Sequence, residues 1–164
     1  MMKIKISGLG DGEHRYDFET CSAEIGLDAE YEQPILVEVM LRKSTRQYYL
    51  DIGCKTKKKS ICDRCLIDFD LIIDCSFKLI YSYDQSFSNP EYDEMKFLNF
   101  HDTEIVIDED VREMIMLSVP IKLLCSEECK GLCPKCGKNL NVSDCGCDRE
   151  INNSKFDELK KLKF

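Results

Sequence analysis

"FDLIIDCSFKLIYSY", residues 69–83, alternates apolar and polar side chains along its length. Phe69, Leu71, Ile73, Cys75, Phe77, Leu79, Tyr81 and Tyr83 fall on one face, with Asp70, Asp74, Ser76, Lys78 and Ser82 mostly opposite. A period of two sustained this far predicts a strand with one buried face. "YYLDIGCKT" (48–56) alternates likewise, with Tyr48, Leu50, Ile52 and Cys54 together. "ILVEVMLR" (35–42) is a largely apolar run with β-branched residues. No helical pattern separates these segments to make parallel crossovers. They predict an antiparallel sheet, either a meander or a small open barrel.

Downstream, residues 84–102 are polar with scattered aromatics and one proline, which predicts a loop. "TEIVI" (103–107) reads as a short strand. "DEDVREMIMLSVP" (108–120) opens on acidic residues, carries Val111, Met114 and Ile115 at helical spacing, and stops at Pro120. It predicts a short amphipathic helix with its acids at the positive end of the dipole. The fold class is therefore α+β. A β-rich core domain is expected over 1–120, a cysteine-rich segment over 121–147, and a polar tail over 148–164 whose end allows a short helix. No internal repeat is visible.

The chain is 33% charged and 43% hydrophobic, as soluble globular domains are. No apolar run approaches the roughly 18 residues that span a membrane. The start, "MMKIKISGLGDGEHRYD", has no apolar stretch behind its lysines, so no secretory signal is expected and the chain reads as cytoplasmic. Its Lys, Ile and Asn usage suggests an AT-rich bacterial genome. The net charge is -8, which disfavours nonspecific binding to phosphate backbones. The charge is uneven: residues 42–64 sum to +6 and residues 84–113 to -8. Two solvated faces would explain this, and so would a bipolar binding surface.

Eleven cysteines are present. In a reducing compartment they remain thiols, and an odd number does not suit a disulfide framework. Cys54 and Cys75 fall on apolar strand faces and Cys21 stands alone, so these three read as small packed hydrophobes. The other eight come in pairs: Cys62/Cys65, Cys125/Cys129, Cys133/Cys136 and Cys145/Cys147. Zinc in structural sites takes four ligands in a tetrahedron, and a C-x-x-C turn aims two sulfurs at one ion. In "CPKCG" (133–137) the proline fixes the turn and the glycine lets backbone amides face the thiolates. With "CGC" (145–147) it makes a local four-thiolate site. "CDRC" (62–65) and "CSEEC" (125–129) have no second pair nearby and could meet across the fold as a second site. Cys62/Cys65 facing Cys133/Cys136 is the other arrangement the spacing allows. Structural zinc, one or two ions, is expected.

Catalysis has little support. His14 and His101 lie far from the cysteines and from each other. All-thiolate sites are closed, whereas catalytic zinc keeps an open position. "GLGDG" (8–12) is not a dinucleotide fingerprint. Redox C-x-x-C pairs belong at helix N-termini, but "CDRC" leads into a strand.

"CDRCLIDFDLII" (62–73) and "DEDVREMIMLSVPIKLLCSEECKGLCPKCGKNLN" (108–141) resemble, in this order, the YceD family of large ribosomal RNA subunit accumulation proteins. The resemblance implies a β-barrel-like α+β fold and a non-enzymatic part in accumulating large-subunit ribosomal RNA. Genes of the family often neighbour that of a small, basic, zinc-binding protein of the large subunit. The family's cysteines fall on Cys62, Cys65, Cys125, Cys129, Cys133 and Cys136, while Cys145 and Cys147 match less firmly.

Two four-thiolate zinc sites would bring the charge to about -12. That suits a holder of a basic ribosomal protein better than a general RNA binder. The protein contact is expected on the acidic stretch, at Glu91, Asp93 and Glu94. Any contact with precursor ribosomal RNA is expected at Lys55, Lys57, Lys58 and Lys59, on phosphate without base readout. No membrane and no small-molecule substrate are expected. The alternative class is a zinc-sensing or thiol redox-switch regulator.

Overall fold

The computed structural model describes residues 1–31, 34–84 and 94–147. In chain order the elements are β1 (Lys3–Lys5), β2 (Gly12–Thr20), a 3-10 turn (Ser22–Ile25), β3 (Ile35–Ser44), β4 (Gln47–Ile61), β5 (Asp68–Ser82), β6 (Glu94–Phe97), β7 (Glu104–Val106) and α1 (Asp108–Leu117). β2 to β6 form one sheet in sequence order, and β1 pairs with β7 in a second. The long hairpin of β4 and β5 runs in register from Gln47 opposite Ser82 to Ile61 opposite Asp68. β2 to β5 are antiparallel neighbours, and β6 adds parallel to β5 from Leu79 opposite Glu94.

Alternation decides which face is buried. Val37, Val39 and Leu41 of β3, Leu50, Ile52 and Cys54 of β4, and Phe77, Leu79 and Tyr81 of β5 share one core. Met2, Ile4, Ile105, Val111 and Ile115 close it from the other side. Each such side chain contributes about 1.5–3 kcal/mol on leaving water. The first turn of α1 carries Asp108, Glu109 and Asp110. Asp108 Oδ1 accepts the Met2 N–H at 2.9 Å. Asp110 is buried and accepts from Lys96 Nζ and from the Tyr81 hydroxyl at 3.4 Å, which ties β6 and β5 to the helix. Burial and the Asp110 charge hold the Tyr81 phenol well above its ordinary pKa.

Three local differences from the sequence reading matter. β6 lies inside the stretch read as a loop. β4 continues to Ile61, past the alternating stretch 48–56, so Lys55–Lys59 all lie within a strand. Cys21 is exposed and precedes the 3-10 turn, so it is not a packed hydrophobe. Cys54 is buried, directly opposite the half-buried Cys75. Residues 85–93 and the tail 148–164 lie outside the described residues.

A second, smaller cluster forms at the far tip of the β4–β5 hairpin. Cys62, Cys65 and Cys129 are buried there against Phe69, Leu124, Cys125 and Leu132.

Candidate metal centres

The turn joining β4 to β5 is a C-x-x-C knuckle. The Cys62 N–H donates to the Ile67 carbonyl, and the Leu66 N–H donates to the Cys62 carbonyl, each at 2.9 Å. Residues 133–138 make the same two bonds at the same offsets. Cys133 N–H donates to Lys138 O and Gly137 N–H to Cys133 O, both at 2.9 Å. The chain thus contains a structural repeat that its residues conceal. Gly137 sits at φ +72, and Leu66 holds the equivalent place at φ +57. A left-handed non-glycine residue costs roughly 1–2 kcal/mol.

The first knuckle meets the C-terminal segment across sixty residues of sequence. Cys62 Sγ lies 3.8 Å from Cys129 Sγ, and Cys65 Sγ lies 3.6 Å from Cys125 Sγ. All four sulfurs are within 4.8 Å of one another. Short polar contacts hold the two segments together. Asp63 N–H donates to Leu123 O at 2.8 Å, and Leu123 N–H donates back to Asp63 Oδ2 at 2.7 Å. Arg64 donates to the carbonyls of Glu127 at 3.2 Å and Cys129 at 2.9 Å. Leu132 N–H donates to Arg64 O at 3.0 Å.

At that crossing stands Gly131, with φ +73. A Cβ there would lie 3.0 Å from the Arg64 carbonyl oxygen. Gly131→Ala will therefore strain the backbone and push the segment off the knuckle. We expect about 1–3 kcal/mol of destabilisation in denaturant unfolding. Gly137→Ala, with nothing within 4 Å, should cost only the backbone strain.

The second group is local. The Sγ atoms of Cys133, Cys136, Cys145 and Cys147 lie within 4.8 Å of one another. Cys133 is buried, Cys136 exposed, and Cys145 and Cys147 half-buried. Asp144 Oδ1 accepts the Cys145 N–H at 2.7 Å, setting the turn that returns the "CGC" pair. The two groups are linked through Asn141. Its Nδ2 donates to Cys129 Sγ at 3.3 Å, and its Oδ1 accepts the Lys130 N–H at 2.7 Å.

These distances suit a metal ion. A tetrahedral centre with metal–sulfur bonds of about 2.3 Å has sulfur–sulfur edges of about 3.8 Å, whereas a disulfide would need about 2.05 Å. Local electrostatics favours anionic sulfur at one member of each knuckle. Burial pushes the Cys62 thiol up, but N–H groups of Cys125, Cys65 and Arg64 outweigh it and bring it to about 6. The N–H groups of Cys136 and Lys135 bring Cys133 to about 6 as well. Burial and neighbouring thiols raise Cys125 to about 12, and hydrogen bonds with Cys145 and Cys136 raise Cys147 to about 12. Without a cation, four neighbouring sulfurs cannot all ionise. A cation would remove that conflict, so each group could hold a metal ion.

The other candidate residues are spread out. Lys55, Lys57 and Lys59 face outward on β4, opposite Asp74, Ile72 and Asp70 of β5, and Lys55 Nζ lies 3.5 Å from Asp74. Lys58 points to the other face, 2.9 Å from Glu30 and over the Tyr31 ring. Glu94 is exposed at the start of β6, with an oxygen 3.9 Å from Lys96 Nζ. Glu91 and Asp93 lie outside the described residues. The supporting roles of Asp63, Arg64, Gly131 and Asn141 were not read from the sequence. Their only signal was position, between or next to paired cysteines.

The family described as large ribosomal RNA subunit accumulation protein YceD matches residues 50–163. A chloroplastic YCED homolog 1 of that description from Arabidopsis thaliana is 38% identical over 60 residues, covering 37% of this chain and 19% of the relative. The homolog 1 from Zea mays is 47% identical over 47 residues, covering 28% of this chain and 16% of the relative. The chain therefore matches under a fifth of the length of either relative. No solved structure matches. The family match begins within β4 and takes in both cysteine groups, and with more than half of its length so matched, this chain belongs to the YceD family of large ribosomal RNA subunit accumulation proteins.

Proposed function

We propose that the chain is a non-enzymatic ribosome-biogenesis protein. It supports accumulation of large-subunit ribosomal RNA by holding a basic large-subunit ribosomal protein, with precursor ribosomal RNA as a second contact. Both cysteine groups take structural zinc, in a compartment that keeps thiols reduced, such as the cytoplasm.

The observation that carries this reading is the donor set. Eight of eleven cysteines gather in two groups of four, each sufficient to close a tetrahedron with sulfur alone. A closed all-thiolate zinc site leaves no position for substrate and acts as a clamp. The clamp orders a Gly- and Asn-rich segment that offers little apolar surface of its own. The net charge of -8 favours a basic partner, whose approach is accelerated by Coulomb steering and slowed by salt over a Debye length of about 8 Å. Glu91, Asp93 and Glu94 are the proposed steering acids. Lys55, Lys57 and Lys59 are the proposed phosphate contacts, weakened by the aspartates facing Lys55 and Lys59; Lys58 already bonds Glu30.

Each basic large-subunit protein, purified free of RNA, can be titrated against the chain alongside a large-subunit RNA transcript. One protein should bind, more slowly when Glu91, Asp93 and Glu94 are changed to Lys. Changing Lys55, Lys57 and Lys59 to Glu should weaken RNA binding alone. Binding of RNA without any of the proteins would make RNA the primary ligand.

A further inference from the structure

Beside α1 the sheet is left partly uncovered. β6 begins at Glu94, opposite Leu79 of β5, so among the described residues no strand flanks Phe77 on that edge. A cleft of about 200 Å³ opens there between β5 and α1. Phe77 and Leu79 are buried at its base, and Met114 lines its helix side. Leu117, the last residue of α1, stands 78% exposed at its mouth. Small-molecule pockets hold roughly 300–1,000 Å³. This cleft is smaller, and its apolar base suits a side chain inserted by another polypeptide.

The charged groups lining it are all acidic: Glu94, Asp110 and Glu113. Every cation on the three elements that form the cleft is accounted for. Lys96 bonds Asp110 and lies 3.9 Å from Glu94. Arg112 lies 3.8 Å from Glu109 on the same helix. Lys78 stands on the other face of the sheet, opposite Asp51. Lys122 lies beyond Pro120, next to Leu123, which bonds Asp63 at the hairpin tip. The three lining carboxylates and Lys96 leave the cleft at -2. The Glu113 carboxylate makes no ion pair or hydrogen bond among the described residues. Chain connectivity sets Asp93 beside Glu94 and adds to the same sign. A phosphate backbone would be repelled here, and so would a second copy of a chain with net charge -8. An apolar side chain flanked by lysine or arginine is complementary to both base and rim.

We propose that this cleft, with Leu117 at its mouth and Glu94 and Glu113 on its rim, is the docking site for such a basic segment. The inference rests on the proposed function, and seats the basic ribosomal protein next to the steering acids. The carboxylates set the rate of approach, and the apolar base sets how long the partner stays.

Two variants of the full, metal-loaded chain test this. Leu117→Ser trims an exposed side chain at the end of α1, so metal content and melting temperature should stay close to native. Its affinity for the purified basic large-subunit protein that binds the native chain should fall about tenfold, mostly through faster dissociation. Glu113→Lys places a cation in the C-terminal half of α1, where the helix dipole accepts it. Association should slow about threefold at low salt, and the difference should fade as salt is raised. Native-like binding by Leu117→Ser overturns the proposal. So does a clearly lowered melting temperature of that variant, which would mean that the chain's own residues already fill the cleft. If the native chain binds none of the basic proteins, the failure lies in the proposed function and the docking site falls with it.

Discussion

A Cys62→Ser variant is expected to hold one metal ion fewer than the native chain and to release residues 121–132 from the tip of the β4–β5 hairpin. The size of the effect follows from what replaces the ion. Structural zinc contributes about 10–16 kcal/mol, comparable to the whole stability of an ordinary domain, about 5–15 kcal/mol. What remains at the crossing is a handful of polar contacts from Asp63, Arg64 and Leu132 and the small cluster of Phe69, Leu124 and Leu132. The main core is formed by other side chains and should survive, so far-UV circular dichroism should change little. Amide exchange should rise sharply around Leu123, Cys129 and Leu132. Cys125→Ser should reproduce the loss, and combining it with Cys62→Ser should lower metal no further. Two ions lost in that pair would mean that Cys62 and Cys125 serve different centres.

The second large effect is expected from Cys133→Ser combined with Cys136→Ser. All four sulfurs of this group lie within residues 133–147, where exposed and half-buried side chains predominate. Little apolar burial is available to hold the loop once the ion is gone. The double variant should lose one ion and become cleavable by protease between 133 and 147, while the first group keeps its metal. Because Asn141 bridges the loop to Cys129, the retained ion should exchange faster than in the native chain. Acid should act similarly on both groups. Metal must compete with protons for sulfur, so occupancy of both groups should fall as the solution is acidified. Unchanged stoichiometry in the double variant would remove the second centre.

The long strands were legible because one face of each is apolar. The same rule explains where reading stopped. Beyond Cys54, the inner face of β4 continues as Thr56, Lys58 and Ser60, which are polar yet mostly buried, so hydrophobic alternation fades while the strand goes on. Lys58 is accepted there because Glu30 and Tyr31 receive it. β6 is four residues in a polar stretch, recognisable only from its parallel partner β5 and from the buried Asp110 that receives Lys96. The cysteine groups were legible as pairs, but which pairs meet is a property of the fold. The structure brings Cys62 and Cys65 to Cys125 and Cys129, and not to Cys133 and Cys136. The repeat of the knuckle was hidden because Leu66 occupies a place where the second copy has the expected glycine.

Native mass spectrometry of the chain purified under reducing conditions, before and after alkylation, would measure ions and free thiols together. Two zinc ions per chain are expected, with Cys21, Cys54 and Cys75 the only thiols open to alkylation once the fold is loosened without removing metal. A metal-free chain, or one whose paired cysteines have become disulfides two mass units lighter per bond, would contradict a protein clamped by two thiolate centres.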